Sequence, residues 1–241
     1  MHNPFCDFQS YQYKQSREIP LDRIIQSKRK TMEEIIEGYL KLSEKEVKEM
    51  VWLVEHSRIV KAYSAAMETV KNLDYDSDDI EEFCHELDKG GKIPYLISGP
   101  AGIYVSALCN NAKEPELHLK LFELKRTFHF LGYRLPEGKS LVLEGSVGDF
   151  IGTGLSGGRL VVEGSAGNWT GAGMVKGEIV VREHTGQNTG EWMKGGVIRV
   201  GGHIRGIGKS LSGGTIYQRE RTVFPDEKDA GSASTSGPTT A

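Results

Sequence analysis

Between Leu141 and Thr215 an apolar triplet returns at a fixed interval: Leu141-Val142-Leu143, Leu160-Val161-Val162, Ile179-Val180-Val181 and Ile198-Arg199-Val200, with a fragment of a fifth copy at Ile216. Successive copies start 19, 19, 19 and then 18 residues apart. Alternate side chains of a strand share a face, so columns one and three are predicted to point inward. Column two, which runs Val142, Val161, Val180, Arg199, Tyr217, is assigned to solvent or a partner. Leu155, Met174, Met193 and Leu211 form a second inward row. Gly158, Gly177, Gly196 and Gly214 precede the strands, and Gly152, Gly171, Gly190 and Gly208 fill another column, the places where corners with positive φ are expected. One copy cannot bury its own inward row, whereas stacked copies build a continuous core. The predicted fold class is α+β: a helical N-terminal region, then a right-handed single-stranded parallel β-helix of 19-residue repeats. Four to five turns make a rod of roughly 20 Å at about 4.8 Å per step.

Upstream the pattern changes period. Residues 1–20 read as an extended arm. Helices are predicted at about 21–29, 31–42, 44–72 and 79–88, within a helical region spanning 21–91. Thr31 with Glu34, and Ser43 with Glu46, have capping-box spacing, and acids at Asp76 to Asp79 suit a helix start. The long helix would bury Val47, Val51, Val54, Ile59, Tyr63 and Val70. Residues 92–140 form a mixed linker or cap region. There Ile93 to Ile97 read as a short strand, Tyr104 to Leu108 as strand or helix, and Leu117 to Leu131 as either alternation or helical spacing. The solenoid occupies 141–224, and a Gly/Ser/Ala/Thr-rich tail at 225–241 is read as disordered. A solenoid exposes unpaired strand edges at both ends. The helical region is expected to cap one, and the residues after Ile216, or a partner, the other.

Net charge is −3, and neither the part before residue 141 nor the part after it has a basic excess. No nucleic-acid or anionic-membrane footprint is expected. Cys6, Cys84 and Cys109 form no CxxC pair, which points to reduced thiols in the cytoplasm. The sequon Asn168-Trp169-Thr170 is accordingly expected to stay unmodified.

Gly145-Ser-Val-Gly148-Asp-Phe-Ile-Gly152 recurs as Gly164-Ser-Ala-Gly167-Asn-Trp-Thr-Gly171. This GxxGxxxG repeat resembles that of two families: the C-terminal domain of the large chain of glutamate synthase, and the C subunit of formylmethanofuran dehydrogenase. The run from Asp149 to Arg159 is similar to the former, and Gly190-Glu-Trp-Met-Lys-Gly-Gly196 to the latter. The resemblance covers about residues 134–220. It implies a scaffold that joins catalytic parts whose flavin, iron–sulfur or molybdenum/tungsten chemistry lies in other subunits. No family catalytic residue maps onto this region. The chain itself is therefore expected to carry no catalytic, cofactor or metal site and to partner other protein subunits, with a homo-oligomer as a second form of assembly. The other readings are a stand-alone enzyme with a site between helices and solenoid, or a self-assembling homo-oligomer.

Individual motifs fit that frame. Gly152-Thr-Gly154-Leu-Ser-Gly157 matches GxGxxG, but a strand follows where a dinucleotide fold needs a helix. Gly138-Lys139-Ser140 and Gly208-Lys209-Ser210 lack the earlier glycine of a phosphate loop, having Tyr133 and His203 there. Cys84-His85 reads as a core thiol beside a surface imidazole. His184 and His203 share a column and are expected to stack, as a ladder or a weak metal pair. Ser98-Gly-Pro-Ala-Gly102 reads as an ordinary tight turn that could also approach a ligand. Phe150 and Trp169 share a column, as core, corner or binding face. Arg199 and Tyr217, where the outward row stops being valine, are the positions where function is most legible.

Overall fold

A computed structural model describes residues 21–47, 56–89 and 100–225. The arm at 1–20, the strand reading at 93–97 and the tail beyond Pro225 lie outside them, as do the side chains of Val47, Val51 and Val54.

Among the described residues four helices precede the sheet: α1 Leu21–Val47, α2 His56–Val70, α3 Ser77–Lys89 and α4 Pro100–Asn111. The break expected near residue 30 is absent. Met32, Ile35, Tyr39 and Leu42 form one buried stripe at helical spacing, and α1 runs straight through Thr31. Thr31 is not an N-cap; its hydroxyl donates to the Asp74 carbonyl at 3.3 Å. Ser43 is likewise mid-helix and bonds back to Leu40. The start of α3 does follow its acids: the Asp76 amide donates to Asp79 Oδ2 and the Asp79 amide to Asp76 Oδ1, a reciprocal cap.

Helix α4 is buried from Pro100 to Cys109. Apolar on all sides, it sits between the other helices and the first coil, where Tyr104 packs on Tyr39 and Phe83. Tyr104 donates to Ile35 and Tyr75 to Leu108, which knits α1 and the α2–α3 connection to α4.

Strands β1 Glu116–Lys120, β2 Ser140–Glu144, β3 Ser156–Val162, β4 Lys176–Val181, β5 Val197–Val200 and β6 Thr215–Gln218 stack in sequence order, each parallel to the next. The register aligns Leu117, Leu141, Leu160, Ile179, Ile198 and Ile216, all buried. The sheet thus starts earlier than the 19-residue repeat: residues 112–140 supply a first coil of irregular length. The alternating reading of Leu117, Leu119 and Leu121 holds; the helical reading through Leu131 does not. Leu155, Met174 and Met193 fill the second inward row. Within the outward column, Val161 is nevertheless buried, flanked by Val142 and Val180 of its neighbours.

Corners differ by column. Gly171 sits at φ 71°, and a Cβ there would come within 2.5 Å of Ile198 Cδ1. Gly158 and Gly208, expected to need positive φ, do not adopt it. At Gly158 a Cβ would instead strike Leu135 and the Pro136 carbonyl at 2.7 Å.

Both ends of the parallel stack are covered. On the β1 side, Glu81 of α3 accepts the Lys120 amide and Asp88 the Arg126 amide. At the far side β7, Arg221–Phe224, folds back antiparallel onto β6. The repeat gives no sign of this hairpin, which pairs the open side of β6 and leaves the four-residue β7 as the edge strand.

Candidate functional site

The outer face of the sheet carries the side chains that alternate with the inward rows. On β2 to β4 the outward column is valine, and on β5 and β6 it becomes Arg199 and Tyr217. The Arg199 guanidinium lies over the Tyr217 ring, 4.4 Å from its centroid. Its Nε also bonds Glu178 at 3.0 Å, and Arg159 Nε takes the other oxygen of that carboxylate at 3.1 Å. Burial raises the Glu178 pKa, but the two arginine hydrogen bonds outweigh it and hold the carboxyl below its ordinary value.

One column further on, Arg182 follows Val181 and Arg219 follows Gln218, with Gly201 on the strand between them. Gly201 is obligatory there because a Cβ would come within 2.3 Å of the Arg182 carbonyl. The missing side chain opens a shallow groove of about 420 Å³, lined by Val180, Arg182, Arg199, Tyr217, Arg219 and Glu220 among others. Arg182 Nε pairs with Glu163 at 3.3 Å. Arg219 is exposed and has no ion-pair partner among the described residues. It forms, with Glu220, the two-residue turn joining β6 to β7, at φ 49° and 67°. Two successive positive φ values define a turn normally filled by Asn-Gly or Asp-Gly.

A second feature runs along one corner. Phe130, Phe150, Trp169 and Trp192 stack with centroid spacings of 4.6, 5.9 and 5.2 Å. All four have positive φ. Each such residue costs about 1–2 kcal/mol, and each of the three stacked pairs contributes about 0.5–1.5 kcal/mol beyond burial, so stacking offsets about half of the strain. The row passes from Phe130, 5 % exposed, to Trp192, 54 % exposed. Asn188 leaves the aromatic column in the third copy, and Trp192 fills in from the column of Gly154 and Gly173. Phe150 and Trp169 are therefore corner residues, half-buried, in a longer row than their own repeat indicates.

The remaining motifs resolve into structure. Gly152 and Gly154 turn a corner, Leu155 is core and β3 follows. Lys139 donates to the carbonyls of Ala112 and Glu114 just beyond α4. Lys209 and Ser210 give their amides to the Glu191 carboxylate. Cys84 is buried and His85 half-exposed. His184 and His203 are in register, and the His203 amide donates to His184 Nδ1 at 2.9 Å. Asn168, of the sequon, accepts the Gln187 amide, one rung of a ladder in which His129 accepts the Asp149 amide and Asp149 the Asn168 amide. Gly102 permits close packing: a Cβ there would lie 1.6 Å from the His129 carbonyl. The groove between Arg182 and Arg219 went unread in the sequence, although their 19- and 18-residue spacing through Gly201 marks one column.

Among the described residues no helix is long and apolar enough to cross a membrane, and no three His, Cys, Asp or Glu side chains gather as a metal site would require. No protein-family model, curated protein or solved structure matches the chain.

Proposed function

We propose that this chain is a non-catalytic assembly subunit, or domain, of a cytoplasmic oxidoreductase complex of the glutamate synthase or formylmethanofuran dehydrogenase type. Its solenoid holds a partner protein against the outer face of the sheet. Any flavin, iron–sulfur or molybdenum/tungsten centre belongs to the partners. The docking part of this reading rests on one observation: the outward valine column gives way to Arg199 and Tyr217 where the arginine-lined groove opens. Arginine and tyrosine are the residues that concentrate binding energy at protein interfaces. The oxidoreductase class rests on the resemblance of the GxxGxxxG repeat. Affinity isolation of the intact chain from its native cells is expected to bring down redox subunits in fixed stoichiometry, with flavin or iron–sulfur absorbance in the eluate. Turnover or tightly bound cofactor in the purified chain alone would make it an enzyme instead. A light-scattering mass at a multiple of the chain, with no other protein present, would make it a self-assembling oligomer.

A further inference from the structure

We infer that the groove between Arg182 and Arg219 binds an acidic, extended segment of a protein partner, its carboxylates held by the guanidinium groups across Gly201. The inference rests on the docking reading above and names the chemistry of the partner at that site.

Three observations converge. The first is charge. Arg182 and Arg199 engage their carboxylates through Nε, which leaves the Nη edge of each fork for a second acceptor. Arg219, on the groove rim, has no acid of its own among the described residues. Among the described residues Glu220 is the one carboxylate lining the groove.

The second is spacing. Arg182 and Arg219 are two strand steps apart, roughly 10 Å, and Arg199 lies on the strand between them. A single small anion does not span that distance. Carboxylates at alternate positions of an extended chain stand roughly 7 Å apart, within reach of neighbouring guanidiniums. The backbone amides beside the groove are consumed by the sheet, Gly201 donating to Val181 and Arg219 to Val200. Neither amide is left to cradle a phosphate. Val180 and the Tyr217 ring offer apolar surface that a peptide uses and an inorganic anion does not.

The third is strain. A turn with two positive φ values is easiest with Asn-Gly, yet the chain places Arg219-Glu220 there. A charged side chain held in a costly conformation at the edge of a groove is the kind of outlier from which a functional role is inferred.

The strain makes the test sharp, because one variant separates folding from binding. In the full-length chain, R219N/E220G restores the preferred turn and is expected to raise the melting temperature. The probe is a fluorescein-labelled alternating Asp/Glu hexapeptide, with the Asn/Gln hexapeptide as control. Wild type is expected to bind the acidic probe about tenfold or more tightly than the control, the scale of one charge-assisted hydrogen bond, with affinity falling as salt is added. R219N/E220G and Arg182→Gln are each expected to lose most of that preference, and Arg219→Lys to retain part of it. Equal affinity for the two peptides overturns the inference, as does undiminished binding by the more stable R219N/E220G. Displacement of the probe by inorganic phosphate at concentrations near the probe's own Kd also overturns it, in favour of a free-anion site. If the acidic probe binds as expected while no redox protein accompanies the chain from cells, the oxidoreductase assignment fails and the acidic-segment site stands.

Discussion

Glu191 occupies the place that Thr153 and Ala172 hold in the two preceding coils, and it is the residue on which the irregular last interval turns. The next coil is one residue short, and the buried Glu191 carboxylate accepts the amides of Lys209 at 2.7 Å and Ser210 at 3.1 Å. Burial raises its pKa, but the Ser210 and Lys209 hydrogen bonds prevail and hold it below the ordinary carboxylate value. A depressed carboxyl contributes stability that is complete above the unfolded value of about 4.3 and is lost as pH falls through the folded one. Glu178, held down by Arg159 and Arg199, acts with the same sign. Glu191→Gln loses a charge-assisted acceptor worth about 1.5–3 kcal/mol. It should therefore lower stability at neutral pH, and the gap to wild type should close as pH drops. Urea melts of both chains at about pH 7 and about pH 3 check this; a gap that widens in acid contradicts it.

At the scale of elements, the strand columns were legible because four copies of one environment and part of a fifth repeat; of the helices, the region and α3 were legible, but the unbroken length of α1 and the helical state of α4 were not. Helix α4 has no amphipathic period because every face is buried, so Tyr104 to Leu108 fit strand and helix equally well. Thr31 and Ser43 carry capping chemistry, but the continuous stripe Met32, Ile35, Tyr39, Leu42 overrides it. The groove was half legible: Arg199 and Tyr217 break a visible column, whereas Arg182 and Arg219 flank a glycine whose role emerges only when strands are stacked. The repeat also predicts how glycines divide. Gly177→Val places a branched side chain at φ 101° with its Cβ 2.3 Å from the Gly158 carbonyl. Backbone strain and overpacking together cost about 2–5 kcal/mol, and because each coil rests on its neighbours the loss should appear as failed folding. Gly173→Asn is the control. Gly173 has φ 64° and open space around its Cβ, and Trp192 already occupies the equivalent position one coil on. It should cost about 1 kcal/mol or less. Equal melting temperatures for the two variants would refute the division.

At the scale of the molecule, the helical region and the solenoid share one core. Ser106 of α4 donates to the Phe130 carbonyl at 2.8 Å, and Asn110 donates to that of Tyr133 at 2.9 Å. Tyr63 of α2 packs edge-on against Tyr133 of the first coil. Gly102 packs against the His129 backbone, and the contact allows two effects to be set against each other. In an isolated helix Gly102→Ala would stabilise by about 1 kcal/mol. Here the new Cβ meets a backbone carbonyl at 1.6 Å, which nothing can absorb without separating α4 from the coil. Overpacking costs about 1–3 kcal/mol when the neighbours can adjust, and a backbone overlap lies at the top of that range. Destabilisation should win. Because the cores are joined, the loss should lower helix melting, read by far-UV circular dichroism, and unstacking of the corner tryptophans, read by fluorescence, by the same amount and in one transition. A Gly102→Ala chain whose helices melt early while Trp169 and Trp192 keep their wild-type transition would show instead that the solenoid stands without its helical cap, and that Glu81 and Asp88 are dispensable at the β1 edge.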